Sequence, residues 1–320
     1  MKVIPLTKQA VQFSKKERTN YRFEKLKMCK KCKRYSVLND ENCQECGSTL
    51  VGLESLVQSI YKKRVFAEVI KIVILVCIGI VAAPTVTTRY ISLIIGILFL
   101  ISYVIITSIY RKSEYFNQLK KLLRVELRKI HAGIQFDSNL AKEDVNQGKL
   151  VSAYEKLREI GDFIYSDQVK LRRVRILNAV FLRRDMELEL ESLIPSSYDK
   201  EFVKYALEVL KINRTLFTKK CIAYFFKHRA EIGRDFGMDS LISVAGTALR
   251  MKLYILEFSQ FIEEFLEYFP KDRFLRLCNI IHSNPEVEWG SLKEQTQRLV
   301  ARKYHYDPDF KQFVSLVIKK

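Results

Sequence analysis

Two pairs of cysteines near the start of the chain are the residues best placed to do chemistry. Cys29 and Cys32 form one C-x2-C pair and Cys43 and Cys46 a second, with ten residues between the pairs, in the run MCKKCKRYSVLNDENCQECGSTL over residues 28–50. A C-x2-C turn brings two thiolates to one side of a metal ion, and a second such turn closes a tetrahedral cage around it. Gly47, directly after the last cysteine, can take the positive φ that metal knuckles commonly require. This spacing points to zinc. With all four ligands supplied by cysteine no coordination position stays open, so the zinc is expected to be structural, not catalytic. Iron in the same cage is the chemical alternative, although iron sites of this kind carry a longer gap and more aromatic residues. A disulfide pairing does not suit a reducing cytoplasm.

The segment resembles the zinc-ribbon family, specifically the short ribbons at the N-termini of membrane proteins. The resemblance covers about 25 residues centred on CKKC and CQECG, and Lys33 stands where many ribbons have glycine. Asn39-Asp40-Glu41-Asn42 reads as a turn between two short strands. So small a domain has little core, and the metal is expected to supply its folding energy. The other three cysteines, Cys77, Cys221 and Cys278, are scattered; an odd total of 7 without a regular framework argues against a secreted disulfide scaffold.

The elements that must carry this site begin with an apolar block. Tyr90 to Tyr110 contains 21 residues without a charge, about the length that spans the roughly 30 Å hydrocarbon core of a bilayer as a helix. Before it, Phe66 to Val86 is apolar apart from Glu68 and Lys71, and Pro84 marks a turn. The expectation is a two-helix transmembrane hairpin. Lys62, Lys63 and Arg64 precede it and Arg111 and Lys112 follow it, whereas the turn holds only Arg89. By the positive-inside rule both termini are cytoplasmic. The first 30 residues are basic and lack an apolar signal core. The spans carry no paired acidic groups or polar stripe, which reads as an anchor and not a transport path.

Beyond the hairpin the pattern is helical. Phe116, Leu119, Leu123, Leu127 and Ile130 recur at spacings that put them on one face of an amphipathic helix. Leu150, Ala153, Tyr154, Leu157 and Ile160 share a second face, and Leu171, Val174, Leu177 and Phe181 a third, after a cap at Ser166 or Asp167. Asp199 caps a helix that turns Phe202, Ala206, Val209 and Leu210 inward, and similar patterns recur over 216–228, 239–250, 252–269, 271–282 and 289–303. Helices of about 12–17 residues are expected, with no strands. Leu140-Ala141, Gly148, Ala153, Leu157 and Ile160 resemble the spacing of a tetratricopeptide repeat, and residues 258–272, with Pro270 opening the next helix, resemble the end of a second. That resemblance implies a protein-binding surface; a generic helical bundle is the other reading.

The fold class is therefore mainly α: a basic N-terminal segment (1–25), a zinc ribbon (26–55), a juxtamembrane linker (56–65), the hairpin (66–110) and a cytoplasmic helical domain (111–320). The net charge of +19 is concentrated on both sides of the apolar block, with 15 basic against 6 acidic residues before it and 38 against 29 after it. Such flanks suit anionic lipid and, as the alternative, nucleic acid. No Gly-rich phosphate loop, nucleophile elbow or HExxH is present. His131, His228, His282 and His305 are dispersed, and the acidic run 187–191 and Glu263-Glu264 read as solvated helix faces. The function expected is a membrane-anchored, non-catalytic adaptor that binds protein partners, with no small-molecule substrate. A membrane-tethered nucleic-acid-binding protein is the first alternative, and an accessory subunit of a transport or envelope complex the second.

Overall fold

Helix-forming residues dominate the chain, with only 11 glycines and 6 prolines to interrupt them. The resulting structure, a computed structural model, is mainly helical with one small sheet. It describes residues 8–313 apart from 18 and 22; residues 1–7 of the basic N-terminal segment lie outside the described residues. The chain divides into two compact units, one of residues 17–164 and the other of residues 1–16 together with 165–320. The segments read from the sequence follow composition, whereas these units follow packing, and the two divisions cut the chain in different places.

The first unit opens with three antiparallel strands, β1 (Lys27–Cys29), β2 (Tyr35–Ser36) and β3 (Leu50–Gly52), in the order β2-β1-β3. Met28 pairs with Tyr35 on one side and Val51 on the other. Leu26, Tyr35, Val37, Leu38, Leu53 and Val57 form the core beneath them. β3 runs straight into α1 (Leu53–Ala82). Residues 56–65, read above as a linker, are continuous helix, because nothing between Leu53 and Ala82 breaks the backbone ladder: Gly79 is the lone glycine and Pro84 lies beyond the end.

Pro84 and its neighbours turn the chain into α2 (Val86–Ile109). Thr85 caps α2 and forms a reciprocal capping box with Thr88. α1 and α2 are long and apolar enough to cross a membrane, and hardly any of their most apolar stretch is buried within the protein. They meet where Gly96 fits under Val76 and Gly79 under Ser92; a Cβ at Gly96 would come within 2.6 Å of Val76. α3 (Arg111–Val125) packs back on α1, and α4 (Leu127–Asn146) on α5 (Leu150–Phe163).

The stripe from Phe116 to Ile130 is not one helix. It breaks at Glu126, and Phe116 and Leu127 are left exposed while Leu119 and Ile130 are buried. The second stripe holds: Leu150, Ala153, Tyr154, Leu157 and Ile160 are all buried. Gly148, at φ 77°, makes the left-handed link between α4 and α5.

In the second unit, α6 (Asp167–Asn178) ends before Phe181, which is exposed and outside any helix. Val180 instead forms a parallel bridge with Gln9, so residues near the N-terminus run beside it. The acidic run is not a solvated helix face either. Residues 187–190 are extended, and Glu189 receives Arg173 Nη2 at 2.7 Å, with Lys16 Nζ 3.3 Å away. Burial pushes the Glu189 carboxyl up, but Arg173, Ser192 and Lys16 outweigh it and hold it at about 2. Asp199 caps α7 (Lys200–Ile212) by accepting from Phe202 N at 2.8 Å, and Phe202, Ala206, Val209 and Leu210 are buried as expected.

The remaining helices are α8 (Lys219–Lys227), α9 (Arg229–Phe236), α10 (Met238–Ala248), α11 (Lys252–Glu257), α12 (Ser259–Glu264), α13 (Lys271–His282) and α14 (Ser291–Lys303). Several are shorter than the periodicity suggests: the 252–269 pattern is split at Phe258 into two helices of 6 residues, with a 3-10 turn after them. Trp289 is buried, and its indole N–H donates to Asn284 O at 3.0 Å.

Candidate metal centre

The two cysteine knuckles are copies of one local structure. In the first, Lys33 N donates to Cys29 O at 3.1 Å and Cys29 N to Arg34 O at 2.8 Å. In the second, Gly47 N donates to Cys43 O at 2.9 Å and Cys43 N to Ser48 O at 2.8 Å. Each knuckle needs a left-handed residue directly after its second cysteine, and these are Lys33 at φ 60° and Gly47 at φ 69°. Lys33 is the one non-glycine residue with positive φ among the described residues, so the first knuckle holds a conformation that an L side chain disfavours by about 1–2 kcal/mol.

The knuckles face each other. One ligand sulfur from each of Cys29, Cys32, Cys43 and Cys46 lies within 4.8 Å of all the others. Cys29 Sγ is 3.4 Å from Cys46 Sγ and Cys32 Sγ is 3.6 Å from Cys43 Sγ. Two thiolates on a tetrahedral ion at about 2.3 Å would stand about 3.8 Å apart, so the cage has the size for such an ion, and its sulfurs are too far apart for disulfides. All four cysteines are free thiols, Cys29 and Cys43 buried and Cys32 exposed. Their proton affinities differ widely. Desolvation, then the neighbouring thiols, push Cys32 up to about 12 against the pull of the Arg34 backbone bond. The backbone and hydroxyl of Ser48 lead in holding Cys46 at about 6. Such a set can hold a metal ion and offers it four sulfur ligands.

What the sequence spacing could not reveal is where this module sits. β2 lies on α4. Asp137, only 2% exposed, accepts from Val37 N at 2.9 Å and from Ser36 Oγ at 3.0 Å. Burial pushes the Asp137 carboxyl up to about 6, and the Val37 and Ser36 bonds only partly offset that. One helical turn earlier, the backbone of Gly133 lies against the Tyr35 carbonyl, and a Cβ there would overlap the carbonyl oxygen and stand 2.8 Å from its carbon. The Arg34 guanidinium covers the Phe136 ring at 3.9 Å and pairs with Glu45 at 2.7 Å. Lys25 forms a largely buried ion pair with Glu159 of α5, and Phe23 packs edge-on against Phe163 at 5.4 Å.

Two signals in the sequence pointed this way without naming a partner. Gly133 interrupts a helical pattern, and Asp137 lies four residues on, on the face that buries Ile130, Ile134 and Ala141. The histidines make no comparable cluster: among the described residues the metal-ligating group is the four cysteines alone. His228 is packed against Tyr224, 4.8 Å between ring centroids. No known protein family, curated protein or solved structure matches this chain.

Proposed function

We propose that this chain is a membrane-anchored, non-catalytic adaptor: a structural zinc ribbon held at the cytoplasmic face by a two-pass hairpin, with a helical domain that binds a protein partner. The observation that carries this reading is the absence of slack between the ribbon and its anchor. β3 enters α1 without a linker, and Asp137 and Gly133 seat β2 on α4 of the same unit. A closed cysteine cage offers no open coordination position for chemistry. A fixed knob at a fixed height above a membrane can instead present a surface. Zinc is the assigned metal because four thiolates at this separation match its ligand preference. Lys62, Lys63, Arg64, Arg111 and Lys112 flank the apolar helices and support cytoplasmic termini.

Affinity isolation of the tagged full-length chain in mild detergent, followed by mass spectrometry, tests this. A stoichiometric protein companion is expected, and Cys43→Ser with Cys46→Ser should release it. Isolation of the chain alone under several gentle conditions would count against the adaptor. A polytopic membrane protein as companion would favour an accessory subunit.

A second reading, nucleic-acid binding, has one observation behind it. Arg250 donates to the carbonyls of Arg214 and Phe217 at 3.0 and 3.1 Å, and Arg276 to the carbonyl of Arg250 at 3.3 Å. Burial and the charge of Arg214 lower the Arg273 guanidinium. None of these four arginines forms an ion pair among the described residues. Salt-dependent binding of nucleic acid by the full chain at about 50 mM salt, lost on replacing these arginines, is its test.

A further inference from the structure

At the end of the hairpin where α1 begins and α2 ends, the first turn of α3 folds back over both helices and encloses a cavity of about 870 Å³. That falls within the roughly 300–1,000 Å³ range of small-ligand sites. Three cations line it: Lys62 from α1 and Arg111 and Lys112 from α3. No carboxylate does. Glu114, the nearest acid on α3, is engaged by Arg64 and Gln118. Lys62, Arg111 and Lys112 are exposed, and none makes an ion pair or side-chain hydrogen bond among the described residues. Three like charges on one cavity repel one another unless an anion lies between them. Tyr61 Oη donates to Thr107 O at 3.2 Å and ties the two helices together beside the cavity.

The other walls are of a different kind. Val104 and Phe116 are more than half exposed and lie on the apolar side, and Ser108 adds a hydroxyl. Val104 continues an exposed stripe with Ile101 and Ile97, spaced by 3 and 4 residues along α2. The cavity therefore joins a cationic, hydroxyl-bearing mouth to an unbroken apolar track, and the ligand that matches both is a phosphate on an acyl chain.

We propose that this cavity is a binding site for an anionic phospholipid, with the headgroup phosphate among Lys62, Arg111 and Lys112 and an acyl chain along Val104, Ile101 and Ile97. The proposal rests on the membrane reading above. It locates one saturable site, in contrast to a general attraction of basic flanks to anionic lipid. A bound lipid would also brace the angle between α3 and the hairpin, since its phosphate contacts both.

The test is lipid retention by the purified full-length protein, followed by native mass spectrometry during titration with phosphatidylglycerol or phosphatidylcholine. The variant K62Q/R111Q/K112Q is compared with K120Q/K121Q/R124Q, which removes equal charge from exposed positions of α3 outside the cavity. The expected result is one tightly held phosphatidylglycerol per chain, weakened roughly 100-fold in the first variant, as three basic residues near a membrane surface would give, and less than about threefold in the second. Equal losses in the two variants would replace the site with diffuse attraction. Equal retention of phosphatidylcholine by the unaltered chain would remove the role of headgroup charge. Displacement of the lipid by millimolar inorganic phosphate would make a free anion the ligand. Release of the chain from native membranes by alkaline carbonate would overturn the membrane reading itself, whatever the lipid titration shows.

Discussion

Gly133→Ala sets two effects against each other whose signs differ. Alanine in place of glycine within a helix favours the helix by about 1 kcal/mol, and Gly133 is well inside α4. The new Cβ, however, would overlap the Tyr35 carbonyl oxygen and lie 2.8 Å from the carbonyl carbon and 3.3 Å from Tyr35 Cα. Carbon atoms in contact sit about 3.5–4.0 Å apart, so β2 has to retreat by roughly 1 Å. The obstacle is backbone and cannot rotate away. That retreat stretches the 2.9 Å bond from Val37 N to Asp137 and the 3.0 Å bond from Ser36 Oγ beyond useful length. Hydrogen bonds to a charged group contribute about 1.5–3 kcal/mol each, so the net loss is roughly 2–5 kcal/mol after the helix gain. Amide exchange of residues 35–38 should accelerate roughly 30- to 3,000-fold at 1.4 kcal/mol per tenfold. Metal content should stay unchanged, because the cage itself is not touched. Gly233→Ala in α9 is the matching control: its Cβ would meet ordinary contacts at 3.4 and 3.5 Å, so the helix gain should stand alone and stabilise by up to about 1 kcal/mol. Exchange at 35–38 that stays the same or slows in Gly133→Ala would refute the docking of β2 on α4.

Three further outcomes follow from the same geometry. Lys33→Gly should relieve the positive φ of the first knuckle and stabilise the metal-loaded module by about 1 kcal/mol, while Gly47→Ala should destabilise it by about 1–2 kcal/mol; rates of metal release to a chelator check both, and faster release from Lys33→Gly would contradict the knuckle geometry. Burial raises the Asp137 carboxyl to about 6, so the fold favours its neutral form, and its contribution to stability declines as pH rises from about 4 through 6 and is level above. The stability difference between the unaltered chain and Asp137→Asn should show that slope, with thiol titration cancelling between them; a difference independent of pH over that window would show that Asp137 titrates normally. Glu189, held at about 2, contributes stability that is present above about 4.5 and lost as pH falls toward 2. Glu189→Gln leaves the buried Arg173 guanidinium without a counter-charge and should cost roughly 3 kcal/mol, or a melting shift of roughly 6–12 °C at pH 7. A shift under about 2 °C would mean that the pair is solvated.

Local order along the chain was enough for several features. The cysteine spacing determined the cage, since a C-x2-C turn sets the separation of its sulfurs within a few residues. The apolar run from Tyr90 to Tyr110 and Pro84 determined the hairpin helices and their turn, and Asp199 and Gly148 marked a cap and a link, because each of these is a property of neighbouring residues. Periodicity misjudged helix ends: the Phe116–Ile130 stripe hides the break at Glu126, and Phe181 continues a pattern that the backbone abandons at Asn178, where pairing of Val180 with Gln9 offers its peptide groups other partners. Only the tertiary structure decided which polar residues are buried and with whom. Asp137 meets Val37 and Glu159 meets Lys25 across more than 100 residues, and Glu189 meets Arg173 across a chain reversal. A carboxylate's identity and neighbours in sequence look the same whether it is solvated or paired. Its energy is set by the groups that folding brings to it and by the water that folding removes.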